Sequence, residues 1–204
     1  MPGEIHDFLG GFLSNGPCLI GQIRVTRDCS MSHQEDAGQT ELEIFADPHE
    51  AVEIARYDDA GNYRPLKTAP NLRHGWRLDL RNLREAALAL DFLYPAALGT
   101  ALAFARGDLQ PVDLRVTLAR QTGIYAVVKK ITDEQVESVI ELTCNHKEGC
   151  LRHILWSISP GHPSTLSRRG TEVAGSENEI PLFCAEACNL LVAAGRKIVK
   201  ARAA

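Results

Sequence analysis

Short runs of alternating apolar and polar residues mark the first 80 or so positions. Cys18-Leu19-Ile20-Gly21-Gln22-Ile23-Arg24-Val25 and residues 41–45 alternate as half-buried strands do. The polar, glycine-containing stretch 28–40 between them reads as a loop. Residues 51–57 alternate again and run into Asp58-Asp59-Ala60-Gly61-Asn62, a turn signal ahead of Tyr63-Arg64-Pro65-Leu66. This predicts a hairpin, although Asp47-Pro48 also resembles a helix start for 49–56.

From about residue 81 the apolar period lengthens. Leu83, Ala87, Leu90 and Tyr94 lie at helical spacing, as do Leu83, Ala86, Leu90 and Leu93, and Pro95 interrupts the run. Residues 96–106 form an alanine- and leucine-rich segment that stops at Gly107-Asp108. A helix is expected from Pro111 to Arg120, up to the breaker Thr122-Gly123. Thr132-Asp133-Glu134-Gln135 has the form of a capping box, predicting a helix to about Thr143 that delivers Cys144 at its end. The stretch 159–179 reads as a long loop rich in Pro, Gly, Ser and charge, and Pro181 suits the first turn of a last helix toward Ala201. The expected architecture is α+β, with an N-terminal antiparallel β part (1–80) followed by a mainly helical part (81–204).

The 204 residues are 45% apolar and 24% charged, enough for a real core. The net charge of −4 argues against a nucleic-acid partner, for which a basic excess is usual. No apolar stretch reaches the roughly 20 residues that span a bilayer. The acidic start, Met1-Pro2-Gly3-Glu4-Ile5-His6-Asp7, lacks the basic opening of a secretory signal. These features predict a soluble, cytoplasmic protein, and in that reducing compartment paired cysteines suggest metal or redox chemistry rather than disulfides.

Four of the six cysteines fall in two close pairs, Cys144-x5-Cys150 and Cys184-x3-Cys188. The second pair, at i and i+4, would share one face of the last helix. The first brackets Asn145-His146-Lys147-Glu148-Gly149, a short polar loop. Two such pairs can converge into a four-thiolate cage, and soft thiolates select zinc or iron–sulfur clusters. The x5 spacing is wide for a zinc knuckle and suits the bulkier cluster. Lys147 and a helix start after Cys150 would offset the negative charge of a thiolate-ligated cluster. A [4Fe–4S] cluster on Cys144, Cys150, Cys184 and Cys188 is the leading expectation, with a [2Fe–2S] cluster or zinc as alternatives. The bland alternative is four ordinary cytoplasmic thiols, some buried as small hydrophobes.

The spacing C-x5-C…C-x3-C is similar to the [4Fe–4S] motif of sulfite and nitrite reductases, although the prolines that usually flank those cysteines are absent here. A second resemblance rests on residues 65–78, Leu93-Tyr94-Pro95, residues 118–125 and Cys150-Leu151-Arg152-His153-Ile154-Leu155-Trp156. Over roughly 40–200 the chain resembles the C-terminal iron–sulfur region that accompanies CbiX-type sirohydrochlorin chelatase domains. That resemblance implies a β-rich stabilising part followed by a [4Fe–4S] part, and a link to tetrapyrrole metabolism. The metal-inserting histidines of the chelatase domain are not evident, so chelatase activity is not carried over.

The remaining candidates are weaker. Cys29 and His33 could be ligands if their segment were helical, but the loop composition argues against it. Cys18 opens an apolar strand and reads as core. His146 could tune or replace a thiolate ligand, or simply sit in a solvated loop, and Gly161-His162-Pro163 could cover the site. Arg73 and His74, beside Gly75 and Trp76, could meet an anionic ligand or a partner, with a packed Trp and a solvated Arg as the plainer reading. Arg115, Arg120, Lys129, Lys130 and Arg152 could hold tetrapyrrole carboxylates or form a wet helix face. No hydrolase motif is visible. Electron transfer or redox sensing is therefore the expected role, with a redox partner protein, a chelatase or a tetrapyrrole as partner. The alternatives are a zinc-stapled module that partners a chelatase and a tetrapyrrole-modifying redox enzyme. Catalysis and oligomeric state stay open.

Overall fold

The computed structural model describes residues 2–110, 112–144, 149–158 and 178–201. The fold is α+β and divides into two compact units. The first comprises the described residues up to Asp108 together with 178–182, and the second those from 109 to 158 with 183–201. The division falls after residue 108 instead of near 80, because two helices beyond residue 80 pack within the first unit.

The first unit opens with α1 (Pro2–Ser14), within the stretch read from sequence as mainly β. Leu9 and Leu13, one turn apart, are buried, and Phe8 meets Phe12 edge-on at 5.2 Å. Five strands follow: β1 (Cys18–Ile20), β2 (Ile23–Val25), β3 (Ser30–His33), β4 (Glu43–Phe45) and β5 (Trp76–Asp79). They form one sheet in the order β1-β2-β3-β5-β4, antiparallel except for β4, which joins β5 in parallel. Two expectations need correction here. The single strand 18–25 is a hairpin, and the supposed loop 28–40 contains β3.

Gly21 explains the hairpin. Ile20 pairs with Ile23, so the chain reverses through Gly21-Gln22, and Gly21 has φ +57°. A Cβ there would lie 2.9 Å from both the Leu182 side chain and the Tyr94 ring. Gly21→Ala is therefore expected to cost about 2 kcal/mol, combining left-handed strain with overpacking. A lower midpoint with an unchanged slope in urea unfolding is the expected reading; an unchanged midpoint would refute it.

The hairpin expected over 51–66 is also overturned. Residues Ala51–Arg56 form α2. Asp47 caps the 3-10 turn that leads into it by accepting from the His49 amide at 2.9 Å, with Pro48 in the first turn. Ala51, Ile54 and Ala55 give it a buried face. Only the turn itself survives from the hairpin, with Tyr57 bridging Tyr63 and Asp58 N–H donating to Asn62 O. As expected, α3 (Leu83–Leu93) and α4 (Ala97–Ala105) are helices. α3 buries Ala86, Ala89, Leu90 and Leu93 and packs against α1, α2 and α4.

In the second unit α5 (Leu114–Ala119) is capped by Asp113 and followed by a 3-10 segment, Gly123–Lys130. Then come α6 (Asp133–Thr143), β6 (His153–Ile154), β7 (Phe183–Cys184) and α7 (Asn189–Ala201). The capping box at Thr132 and Gln135 is present as expected. Leu114, Leu118, Val128, Val136, Val139, Ile140, Trp156, Leu191 and Val192 belong to one buried core. α7 packs on α6 and on the 3-10 segment, and Gly195 lets it approach Ile131 closely. No single helix among the described residues is long and apolar enough to cross a membrane.

Candidate metal centre

Each of the four paired cysteines sits where an element of the second unit ends or begins. Cys144 is the C-cap of α6, its N–H donating to Ile140 O at 2.7 Å. Cys150 stands three residues before the first residue of β6. Cys184 lies on β7, which pairs in parallel with β6 so that Ile154 faces Cys184. Cys188 stands immediately before α7, and its carbonyl accepts from Val192 N–H at 3.1 Å. Cys184 and Cys188 therefore do not share a helix face. Pro181 leads into a strand and a short loop, and the last helix starts only at Asn189. The helix expected after Cys150 is likewise the strand β6.

Cys144 and Cys184 pack against the core of the second unit, whereas Cys188 is exposed. Burial pushes the Cys144 thiol up to about 11, and the charges of Cys188, Cys150 and Cys184 all push in the same direction. Burial also raises Cys184, and Cys188 and Cys150 add to it, while the Trp156 side chain and the charge of Arg152 pull down. Cys150 and Cys188 thus act on both Cys144 and Cys184. Three partly buried thiols and the exposed Cys188, whose charges oppose one another, are soft donors that a metal ion or cluster can bind by taking the place of their protons. The donor set thus fits a thiolate-bound metal.

The nearest polar contacts are specific. The Cys184 thiol donates to Glu186 O at 3.0 Å, and the Thr143 hydroxyl, itself bonded to Val139 O, lies 3.5 Å from the Cys144 sulfur. Trp156 and Thr143 were not singled out from the sequence. The signal for Trp156 was its place six residues beyond Cys150, in a stretch that carried the family resemblance but named no role for it. His146, Lys147 and Gly161-His162-Pro163 lie outside the described residues.

The other sequence candidates are placed as follows. Cys18 is fully buried at the start of β1, with burial raising its thiol to about 11, in keeping with a core residue. Arg115 donates to Ile131 O and to Asp133, so its guanidinium is committed within the second unit. Lys129 and Lys130 are exposed. Trp76 is fully buried, while Arg73 pairs with Glu43 at 3.1 Å. Cys29 is buried in the turn before β3 with φ +62°, and His33, at the end of β3, stands near His74 rather than forming a site with Cys29.

Residues 106–197 match the family model of a 4Fe-4S iron-sulfur cluster binding domain, and 11–103 match that of the DR2241 stabilising domain. Together the two matches span most of the chain. The boundary between the matches agrees with the division into compact units. The cluster-binding half holds all four paired cysteines, and the resemblance expected from the sequence is borne out. A solved structure, DR2241 from Deinococcus radiodurans, matches 98% of the chain at 28% identity with a TM-score of 0.80. Its description is of a multi-domain protein with structural similarity to chelatases and two additional novel domains. The chain spans 41% of that protein's length. No curated protein matches the chain.

Proposed function

We propose that Cys144, Cys150, Cys184 and Cys188 hold a [4Fe–4S] cluster that exchanges single electrons, for electron transfer or redox sensing. The observation that supports this reading is the match of residues 106–197, which hold all four cysteines, to a 4Fe-4S cluster binding domain, with Cys150, Cys184 and Cys188 acting electrostatically on Cys144. When bound, such a cluster supplies a one-electron couple. Four thiolates occupy all four irons, so no iron is left open to a substrate, which favours electron exchange over Lewis-acid catalysis.

Within this reading the chain's residues have separate roles. The core around Trp156 and Val139 excludes water from Cys144 and Cys184, and low polarity around cluster sulfurs is one of the levers on potential. Arg152 brings a positive charge toward Cys184 and opposes the negative charge of the ligated group. The likeness to a protein described as chelatase-like supports a chelatase or another tetrapyrrole-pathway protein as the partner.

The test is anaerobic purification followed by iron, sulfide and zinc analysis and a spectroelectrochemical titration. About four irons and four sulfides per chain, with reversible bleaching that fits a one-electron Nernst curve, are expected. One zinc without sulfide would make the centre a structural staple. A cluster that cannot be reduced and reoxidised would remove the electron-exchange role.

A further inference from the structure

The first unit has its own group of ligand-type side chains, which the cluster reading leaves unused. β3 ends at His33, and the 3-10 turn Gln34–Asp36 follows at once, presenting Glu35 and Asp36. The residues just ahead of β5 bring in His74, whose ring centroid lies 3.9 Å from that of His33. One donor atom from each of His33, Glu35 and His74 falls within 4.8 Å of the others. Carboxylates surround His74: Asp59 Oδ2 is 3.3 Å and Glu35 Oε2 3.9 Å from its Nε2, and Asp36 Oδ1 is 3.6 Å from its Nδ1.

Two buried atoms in this group have no hydrogen-bond partner among the described residues. His33 is fully buried and its Nε2 is unpartnered, and Asp36, 2% exposed, leaves Oδ1 unpartnered. The other oxygen of Asp36 accepts from Gly75 N–H at 2.8 Å, so its carboxylate is held in place. Asp59 likewise accepts from the His74 amide at 2.5 Å. Buried polar atoms are normally satisfied, and a pair left open beside facing imidazoles calls for a shared partner. Three carboxylates around two imidazoles suit a cation and repel an anion.

We propose that His33, Glu35 and His74, with Asp36 alongside, bind a divalent transition-metal ion of the zinc class. Imidazole nitrogen with carboxylate oxygen is the donor mixture that such ions accept, whereas calcium and magnesium take oxygen alone. The proton balance is explicit. His33 Nδ1 accepts from Glu35 N–H at 3.2 Å, so the neutral ring carries its proton on Nε2. Metal on Nε2 moves that proton to Nδ1, so the ring must turn away from Glu35 N–H, and this long hydrogen bond is given up to avoid two facing donors. The ion would tie the end of β3 to the segment entering β5, on strands that are already hydrogen-bonded neighbours. The proposal is independent of the cysteine centre.

The experiment is calorimetric titration of Zn2+ into the full chain, with zinc analysis after gel filtration and a thermal melt in parallel. Cys144→Ser serves as the background, so that zinc at the thiols is distinguished from zinc here. One equivalent should bind and raise the melting temperature of the first unit. His74→Ala, which alters a partly exposed side chain, should weaken binding by about a hundredfold and abolish the thermal shift. Asp59→Asn should bind more weakly than the parent while folding normally. Zinc bound equally well by His74→Ala, or no zinc bound at all, would overturn the proposal and leave water as the group's partner.

Discussion

Cys144→Ser is expected to lower iron and sulfide content by at least about tenfold, without unfolding the chain. The position cannot adapt easily. Cys144 caps α6 through its amide and packs on the same core as Val139 and Ile140, so a replacement ligand has no slack with which to reach the site. Serine also substitutes a hard oxygen for a soft sulfur that iron–sulfur chemistry selects. Cys188→Ser should give a similar loss with less effect on folding, because Cys188 is exposed at the start of α7. Cys29→Ser is the control: it lies in the first unit and should leave iron unchanged. Full iron content in both Cys144→Ser and Cys188→Ser would remove these residues from the ligand set. One zinc and no sulfide in the parent protein would recast the same four thiols as a staple.

The cysteine spacing was the most legible part of the site, because two close pairs of thiols are hard to obtain from scattered core residues. The supports of those thiols were legible only where the code is local. The capping box at Thr132 announced α6, and α6 put Cys144 at its end. The second pair was misread for a physical reason. An i, i+4 spacing beside Pro181 fits a helix, but pairing between residues 153–154 and 183–184 claims Cys184 for a strand. That pairing joins distant segments, and no short window of sequence contains it. Trp156 was invisible as a neighbour of Cys184 on the same account.

In the first unit, legibility followed the same division. Leu83, Ala86, Leu90 and Leu93 form a long periodic pattern, and α3 is where they place it. Short segments fared worse. Residues 51–56 alternate as well as any strand, yet the cap at Asp47 and the buried face of Ala51, Ile54 and Ala55 make them helical. Met31 is buried on β3 although its neighbours are polar, because β2 and β5 supply hydrogen bonds on either side. A strand held by its neighbours needs little pattern of its own. The approach of His33 to His74 is another contact across sheet order, and sequence spacing offered no hint of it.

Arg64→Met is expected to destabilise the first unit by about 4 kcal/mol, a fall in its melting temperature of roughly 20 °C. Arg64 is 1% exposed, and no carboxylate bonds to it. Its guanidinium instead donates to Asn71 Oδ1, Ala55 O, Lys67 O and Ala69 O, at 2.8 to 3.2 Å. Burial lowers its pKa from the ordinary value, the sign expected for a cation held mainly by carbonyl dipoles. Methionine would fill much of the space and remove the cost of burying a charge. It would also strand Lys67 O, Ala69 O and Asn71 Oδ1, whereas Ala55 O keeps a bond from Lys67 Nζ at 2.9 Å. Each stranded acceptor costs about 1–3 kcal/mol, which outweighs the relief. Arg64→Lys separates charge from shape: it keeps the cation but lacks the planar fork, and should recover less than half of the loss. Calorimetry on both variants decides the matter. If Arg64→Met melts like the parent, the carbonyl cage around 64–71 contributes nothing net. Full recovery by Arg64→Lys would mean that charge alone holds the segment.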